Sequence, residues 1–413
     1  MKTLLLLSRI FVGLIFVFSG FVKAVDPSGF AIKFDEYFVA FHLNFLSGLA
    51  MPLAILASAA ELMIGLNLLT GVRLKFTTWL LLAFMSFFTI LTLILALTNP
   101  VSDCGCFGEA IILTNWQTFW KNIIILIPTL ILFIFRNRLP SYPSVKFEWL
   151  LAVVNFAIPV LLSVYCLRHE PLLDFRPYKT GTYIPDQMTI PDDAPVDQYE
   201  TRLVYQKDGL VKEFSETDFP WQDTTWKWVE TKQKLISKGY EPPIHDFSIS
   251  GSDGSDITSQ VLADSGYVFL IISPRLEKTS LPGMNSMNEL AMKAESLNIN
   301  VLCLTSSTNK EIENFKNSFR PAFDIYSTDE TTLLTILRSN PGLMILQSGT
   351  ILAKWNYRDM PELSNLNSNV TALVFEKNRL THEKQTIILL IICALLVYSL
   401  AFSFAFGKHH VRK

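Results

Sequence analysis

Six stretches of this chain are apolar for long enough to cross a bilayer, at about residues 3–23, 48–70, 76–98, 117–136, 147–167 and 386–406. A transmembrane helix needs about 20 such residues, and within lipid only a helix or a closed barrel satisfies every backbone polar group. The expectation is an α-helical membrane bundle. Residues 170–384 contain no such run and should fold in water. With 413 residues, 50% of them hydrophobic, and a mean hydropathy of +0.32, the chain is too apolar for an ordinary soluble protein. Its length allows two or three domains.

Basic residues orient the spans, because cytoplasmic loops carry the excess of Lys and Arg. Arg73 and Lys75 lie between the second and third spans, and Arg136, Arg138 and Lys146 between the fourth and fifth. Lys2 precedes the first span, and Lys408, Arg412 and Lys413 follow the sixth. All four groups fall on one side. The expected protein is multi-pass in the inner membrane, with both termini cytoplasmic and residues 168–384 periplasmic. The first run has the Lys2 and apolar core of a signal peptide, but Arg9 interrupts it and no small-X-small site follows, so it is read as a retained span. Residues 137–146, with Pro140 and Pro143, form a basic linker. Net charge is −2, and the basic residues flank the membrane, so the bilayer is the partner and nucleic acid is not.

The outer loop after the third span carries Asp103-Cys104-Gly105-Cys106-Phe107-Gly108, with two of the five cysteines. Cα atoms in a disulfide lie about 4.4–6.8 Å apart, and a bend at Gly105 brings two cysteines at this spacing into range, since glycine tolerates positive φ. So small a ring is strained, and strained exposed disulfides are the oxidising, labile ones. The alternative is a pair of inert cysteines in a short loop. No metal is assigned, because zinc wants about four ligands and no His or further Cys is near. Asp103 and Glu109 should raise the thiol pKa values, and a helix start near Thr114-Asn115 would offset them.

Arg9 and Glu61 lie inside the first and second spans, where charge is expensive and marks either a function or a buried partner. They are candidates for a proton relay or a quinone headgroup; the alternatives are snorkelling for Arg9 and a neutral hydrogen-bonded acid for Glu61. The fifth span ends outside at Cys166, a candidate third thiol by depth or else a packing residue. Cys303 and Cys393 read as packing residues.

The loop motif, continued by Leu113, Trp116 and Lys121-Asn122, is similar to the MauE branch of the DoxX superfamily. So are Arg9…Gly13…Phe16…Gly20…Lys23 and Glu61…Gly65…Leu68…Gly71. The resemblance covers residues 1–138 and implies a DoxX-like four-helix membrane domain, here with two further transmembrane helices. It also implies an association with disulfide formation and periplasmic protein maturation, as in methylamine utilisation.

Residues 170–240 turn polar and read as a β-rich extension, with a hairpin of 201–205 and 210–214 joined at Asp208-Gly209. The aromatic residues Trp221, Trp226 and Trp228 would pack it elsewhere. Residues 241–380 alternate strand and helix: strands at 245–249, 267–273, 299–304 and 323–326, helices at 257–262, 284–297, 310–319 and 331–338, then a hairpin of 343–347 and 351–355. That implies an α/β layer with a mixed sheet. The order resembles periplasmic thioredoxin-like domains of the TlpA kind, in which Cys-X-X-Cys follows the first central strand. Here Arg275-Leu276-Glu277-Lys278 stands there, without cysteine. Pro341 matches the family's cis-proline, and the groove beside it would hold an extended client segment; the alternative is a structural cap.

Two functions from different classes follow. One is a thiol–disulfide oxidoreductase with Cys104 and Cys106 as catalytic residues, a periplasmic thiol protein as client and a quinone as the possible cofactor. The other is a non-catalytic assembly or binding factor whose degenerate thioredoxin-like domain holds a client. A transporter is weaker, since only Arg9 and Glu61 could line a path.

Overall fold

A computed structural model describes residues 1–101, 103–139, 145–237, 239–361 and 370–409, with the backbone alone at 235, 237, 388–389, 391–396 and 398–409. Pro140 and Pro143 of the basic linker and the side chain of Cys393 lie outside the described residues.

The N-terminal region is helical: α1 (Lys2–Val25), α2 (Pro27–Ala40), α3 (Ala50–Thr70), α4 (Leu74–Thr98), α5 (Asn115–Ile134) and α6 (Val145–Arg168). Five spans, all but α2 of this set, are long and apolar enough to cross a membrane among the described residues. The protein is multi-pass. The sixth expected span, 386–406, falls within the last helix.

α1 lies along α3, α4 along α5, and α6 along α3. Glycine sets the first of these distances. A Cβ on Gly20 would lie 2.5 Å from the Leu62 nitrogen, and one on Gly65 2.6 Å from the Val17 nitrogen. Small residues at such crossings let membrane helices approach until their backbones touch. Val12, Phe16, Ile64, Leu68, Leu81 and Leu132 fill the bundle core. The outer loop after the first span is mostly α2. Its N-cap Asp26 accepts from the Gly29 N–H, and Phe30, Ala31 and Phe38 pack on Ala50 and Ala54 of α3.

Residues 183–247 form a separate compact unit, with a short α7 (Ile184–Met188) and the strands β1 (Gln198–Lys207), β2 (Leu210–Ser215) and β3 (Lys227–Ser237). The sheet is antiparallel in the order β2-β1-β3. The expected hairpin forms at Asp208-Gly209, both with positive φ. Trp228 belongs to β3, a third strand rather than an aromatic contact.

The α/β domain contains α8 (Thr258–Ala263), β4 (Tyr267–Ile272), α9 (Leu281–Ser296), β5 (Asn300–Thr305), α10 (Asn309–Phe319), β6 (Asp324–Ser327), α11 (Glu330–Ile336), β7 (Gly342–Gln347) and β8 (Thr350–Asn356), and α12 (Val370–His409) follows. Its sheet runs β6-β5-β4-β7-β8, parallel from β4 to β6 and antiparallel through β7 and β8. This is the mixed sheet of an α/β layer that the sequence implied, and Asn340–Pro341 is cis. Two elements differ from expectation. Residues 245–249 join no sheet; the Ile249 N–H is taken by Thr258 Oγ1 at 2.8 Å and its carbonyl by the Ile257 N–H at 3.0 Å. α9 starts at Leu281, earlier than 284, because Pro282 in its first turn needs no hydrogen bond there.

This domain and the helices form one compact unit. Arg338 pairs with Asp26 at 2.7 Å, Lys354 with Asp174 at 2.6 Å, and His169 Nδ1 with Asp359 at 2.6 Å. Burial alone would raise the Asp26 carboxyl, but Arg338 holds it below its ordinary value.

Candidate active site

The dithiol loop runs between α4 and α5. Asn115 ties its base by donating to Asn99 Oδ1 and to the Val101 carbonyl, both at 2.8 Å. Gly105 turns the chain with φ +63, and its N–H donates to Asp103 Oδ1 at 2.8 Å. A side chain there would also press on Lys33, whose Cγ lies 3.0 Å from a Cβ built at Gly105. The bend brings the Cys104 and Cys106 sulfurs to 3.0 Å as free thiols. Cys104 is 4% exposed; Cys106 is half-buried.

The loop rests on three helices. Tyr37 of α2 donates to the Cys104 carbonyl at 2.6 Å, and Ser19 of α1 donates to the Cys106 carbonyl at 2.6 Å. Lys33 of α2 holds Asp103 at 2.9 Å and Glu36 at 3.0 Å. Burial alone would lower the Lys33 ammonium; the two carboxylates more than offset it and hold it above its ordinary value. Lys121 of α5 stands 4.4 Å over the Phe107 ring, and Phe18 of α1 packs on that ring at 5.6 Å.

Beneath the loop lies a buried ion pair. Lys23 Nζ is 2.6 Å from Glu61 Oε2, and their side chains are 5% and 9% exposed. The same nitrogen donates to Ser19 Oγ at 3.2 Å. A hydrogen-bonded line therefore runs from the Cys106 carbonyl through Ser19 and Lys23 to Glu61. Ser19 and Lys23 are one helical turn apart, so α1 presents both to the loop.

Electrostatics divide the two thiols. The hydrogen bond from Cys104 holds Cys106 down at about 6, against burial and with help from the charges of Lys121 and Lys23. The same bond, with burial, pushes Cys104 well above the ordinary thiol range. The two thiols are thus pushed in opposite directions, Cys106 down and Cys104 up. The offset to the loop acids comes from the two lysines, while Thr114 caps the start of α5 with its own side chain.

The sequence candidates separate in space. Cys104 and Cys106 come together, and Glu61 joins them through Lys23. Arg9 donates to the Leu68 carbonyl at 2.8 Å and the Leu69 carbonyl at 3.3 Å, at the other end of α3. Cys166 is buried in α6, against the Leu172 backbone and within reach of the charges of Asp26 and Glu170. Cys303 is wholly buried in β5, and burial lifts its thiol to about 12.

In the α/β domain, residues 275–278 form a short turn closed by Arg275, which grips Glu330 at 2.6 and 2.9 Å. Asn340 binds the Arg275 carbonyl at 2.8 Å and accepts from Ser273 at 2.7 Å. On the α9 side of Pro341, Gly283 and Tyr357 pack closely. The first turn of α9, Leu281-Pro282-Gly283-Met284, has no cysteine either.

Residues 1–135 match the family described as methylamine utilisation protein MauE. That match covers the first third of this chain, the part that holds four of the candidate membrane spans. Residues 199–238, the three-stranded sheet, match a domain of unknown function (DUF8463). No curated protein matches the chain. Among solved structures, three similar ones each align with 32% of this chain. A putative thioredoxin from Neisseria meningitidis shows 12% identity over 88% of its length, with a TM-score of 0.26. BsSco, a member of the Sco family of cytochrome c oxidase assembly proteins, shows 13% over 92%, with a TM-score of 0.26. The bacterioferritin comigratory protein of Xanthomonas campestris shows 14% over 88%, with a TM-score of 0.23.

Proposed function

We propose that this MauE-type protein is a redox-associated membrane protein that exchanges thiols and disulfides with a periplasmic client through Cys104 and Cys106. The observation that carries the reading is a dithiol with its sulfurs 3.0 Å apart, one thiol lowered to about 6 beside two lysines and the other raised. Thiolate is the attacking species in exchange, so Cys106, the more exposed of the two, forms the mixed disulfide. Cys104 resolves it. Oxidising a client breaks the Cys104–Cys106 bond and passes the client's two electrons to this pair; the reverse direction reduces the client. Both termini lie in the cytoplasm in this reading, and the α/β domain and the loop lie in the periplasm, where disulfides persist.

The thioredoxin-like domain serves as a binding platform, because its sheet is present without a dithiol at residues 275–278 or at the start of α9. The assembly-factor reading draws on that same absence. Membrane-impermeant maleimide labelling before and after reduction separates the two. The oxidoreductase reading expects labelling of wild type to rise on reduction, with the rise absent from the Cys104→Ser/Cys106→Ser variant. Equal labelling in every case leaves the assembly factor.

A further inference from the structure

The dithiol has a second neighbour besides its outer surface. Between α1 and α5 a groove of about 430 Å³ opens on the flank of the bundle. Its walls include Phe11 and Ile15 of α1 and Trp116, Trp120 and Ile124 of α5. Trp120 and Ile124 are each 58% exposed, and both helices are membrane spans, so what enters the groove comes from the lipid. Lys121 also lines the groove and is its cation. That ammonium also lies over Phe107, the residue after Cys106, and its charge acts on both thiols. Lys121 is therefore shared by the groove and the dithiol loop.

We infer that this groove holds the ring of a lipid-soluble quinone, which accepts the electrons of the Cys104–Cys106 dithiol. The inference rests on the oxidoreductase reading and supplies its missing acceptor. In the step the Cys104 S–H bond breaks and one S–S bond forms between Cys104 and the Cys106 thiolate, while two electrons, the Cys104 proton and one proton from water convert both quinone carbonyls to hydroxyls. A quinone ring stacks on tryptophan as bases stack on aromatic platforms, and its oxygen accepts a hydrogen bond from an ammonium. A phospholipid acyl chain uses neither feature. Glu61 and Arg9, which the sequence offered as headgroup contacts, are engaged by Lys23 and by the α3 carbonyls.

The full chain in lipid nanodiscs, photolabelled with an azido-quinone and digested, tests the site. A second arm follows anaerobic reduction of decylubiquinone by the pre-reduced protein. Label is expected on 116–125 in wild type and equally in Cys104→Ser/Cys106→Ser, which keeps the groove. Ile124→Trp, which fills it, should lower both labelling and quinone reduction by about tenfold. Lys121→Gln should lower reduction more than labelling. If quinone is reduced while the label falls elsewhere, or while Ile124→Trp has no effect, the groove is overturned and the oxidoreductase reading stands. If the label falls on 116–125 but the thiols reduce no quinone, the site stands as a binding site and the acceptor role is overturned. Labelling that excess phospholipid abolishes but excess unlabelled quinone does not would identify a lipid seat and overturn the proposal.

Discussion

At the residue scale, the asymmetry between two cysteines with one residue between them is the chemical content of the site. Cys106 carries a thiol near 6, so its deprotonated fraction, and with it the alkylation rate, should rise through that pH and level off above it. Cys104 should stay unreactive across the same range. Lys121→Gln removes a charge that favours thiolate, so the midpoint should move upward. A pH series of iodoacetamide labelling, read by mass spectrometry on each cysteine, checks both expectations. The pair itself was legible in the sequence, because Cys104, Gly105 and Cys106 are contiguous and glycine announces the bend. Its electrostatics were not. The loop's own acids pointed to raised thiols, whereas the lysines that decide the matter come from α1 and α5. Lys23 carried a signal all the same: it is a charge one turn beyond Ser19 at the end of an apolar run.

At the element scale, the close contact of α1 and α3 makes the Lys23–Glu61 pair. Breaking a buried pair by removing one partner leaves an uncompensated charge and costs about 3–5 kcal/mol. Lys23→Met should therefore destabilise the bundle by that order, and Lys23→Met/Glu61→Leu should recover most of it. Thermal unfolding in detergent measures the difference; a double variant no better than the single one would show that the pair is not the unit. Gly20→Leu should be damaging too, since a Cβ there already meets the Leu62 backbone. Helices with one clear apolar run were legible, and so were the strands of the mixed sheet. β3 was missed because most of its side chains are solvent-exposed, so no in–out alternation marks it. The start of α9 was missed because Pro282 and Gly283 read as breakers, although proline suits a helix's first turn.

At the scale of the whole molecule, a helical bundle that matches the MauE family is tied to an α/β domain with a five-stranded mixed sheet and no cysteine at residues 275–278 or in the first turn of α9. Arg338 reaches from the end of α11 to Asp26 at the junction of α1 and α2, three residues before Pro341. Arg338→Asp should expose the 338–341 segment to hydrogen exchange, and Arg338→Asp/Asp26→Arg should restore much of the protection. The proposed orientation rests on the placement of Lys and Arg: reporter fusions at Asn137 and Lys310 should report opposite compartments. The most direct test of the account is to trap the client. Cells expressing Cys104→Ser should accumulate a reducible mixed disulfide between Cys106 and a periplasmic protein, whereas Cys106→Ser and the double variant should accumulate none. Adducts that form equally in all three, or in none while the protein is folded in the membrane, would contradict the thiol-exchange function.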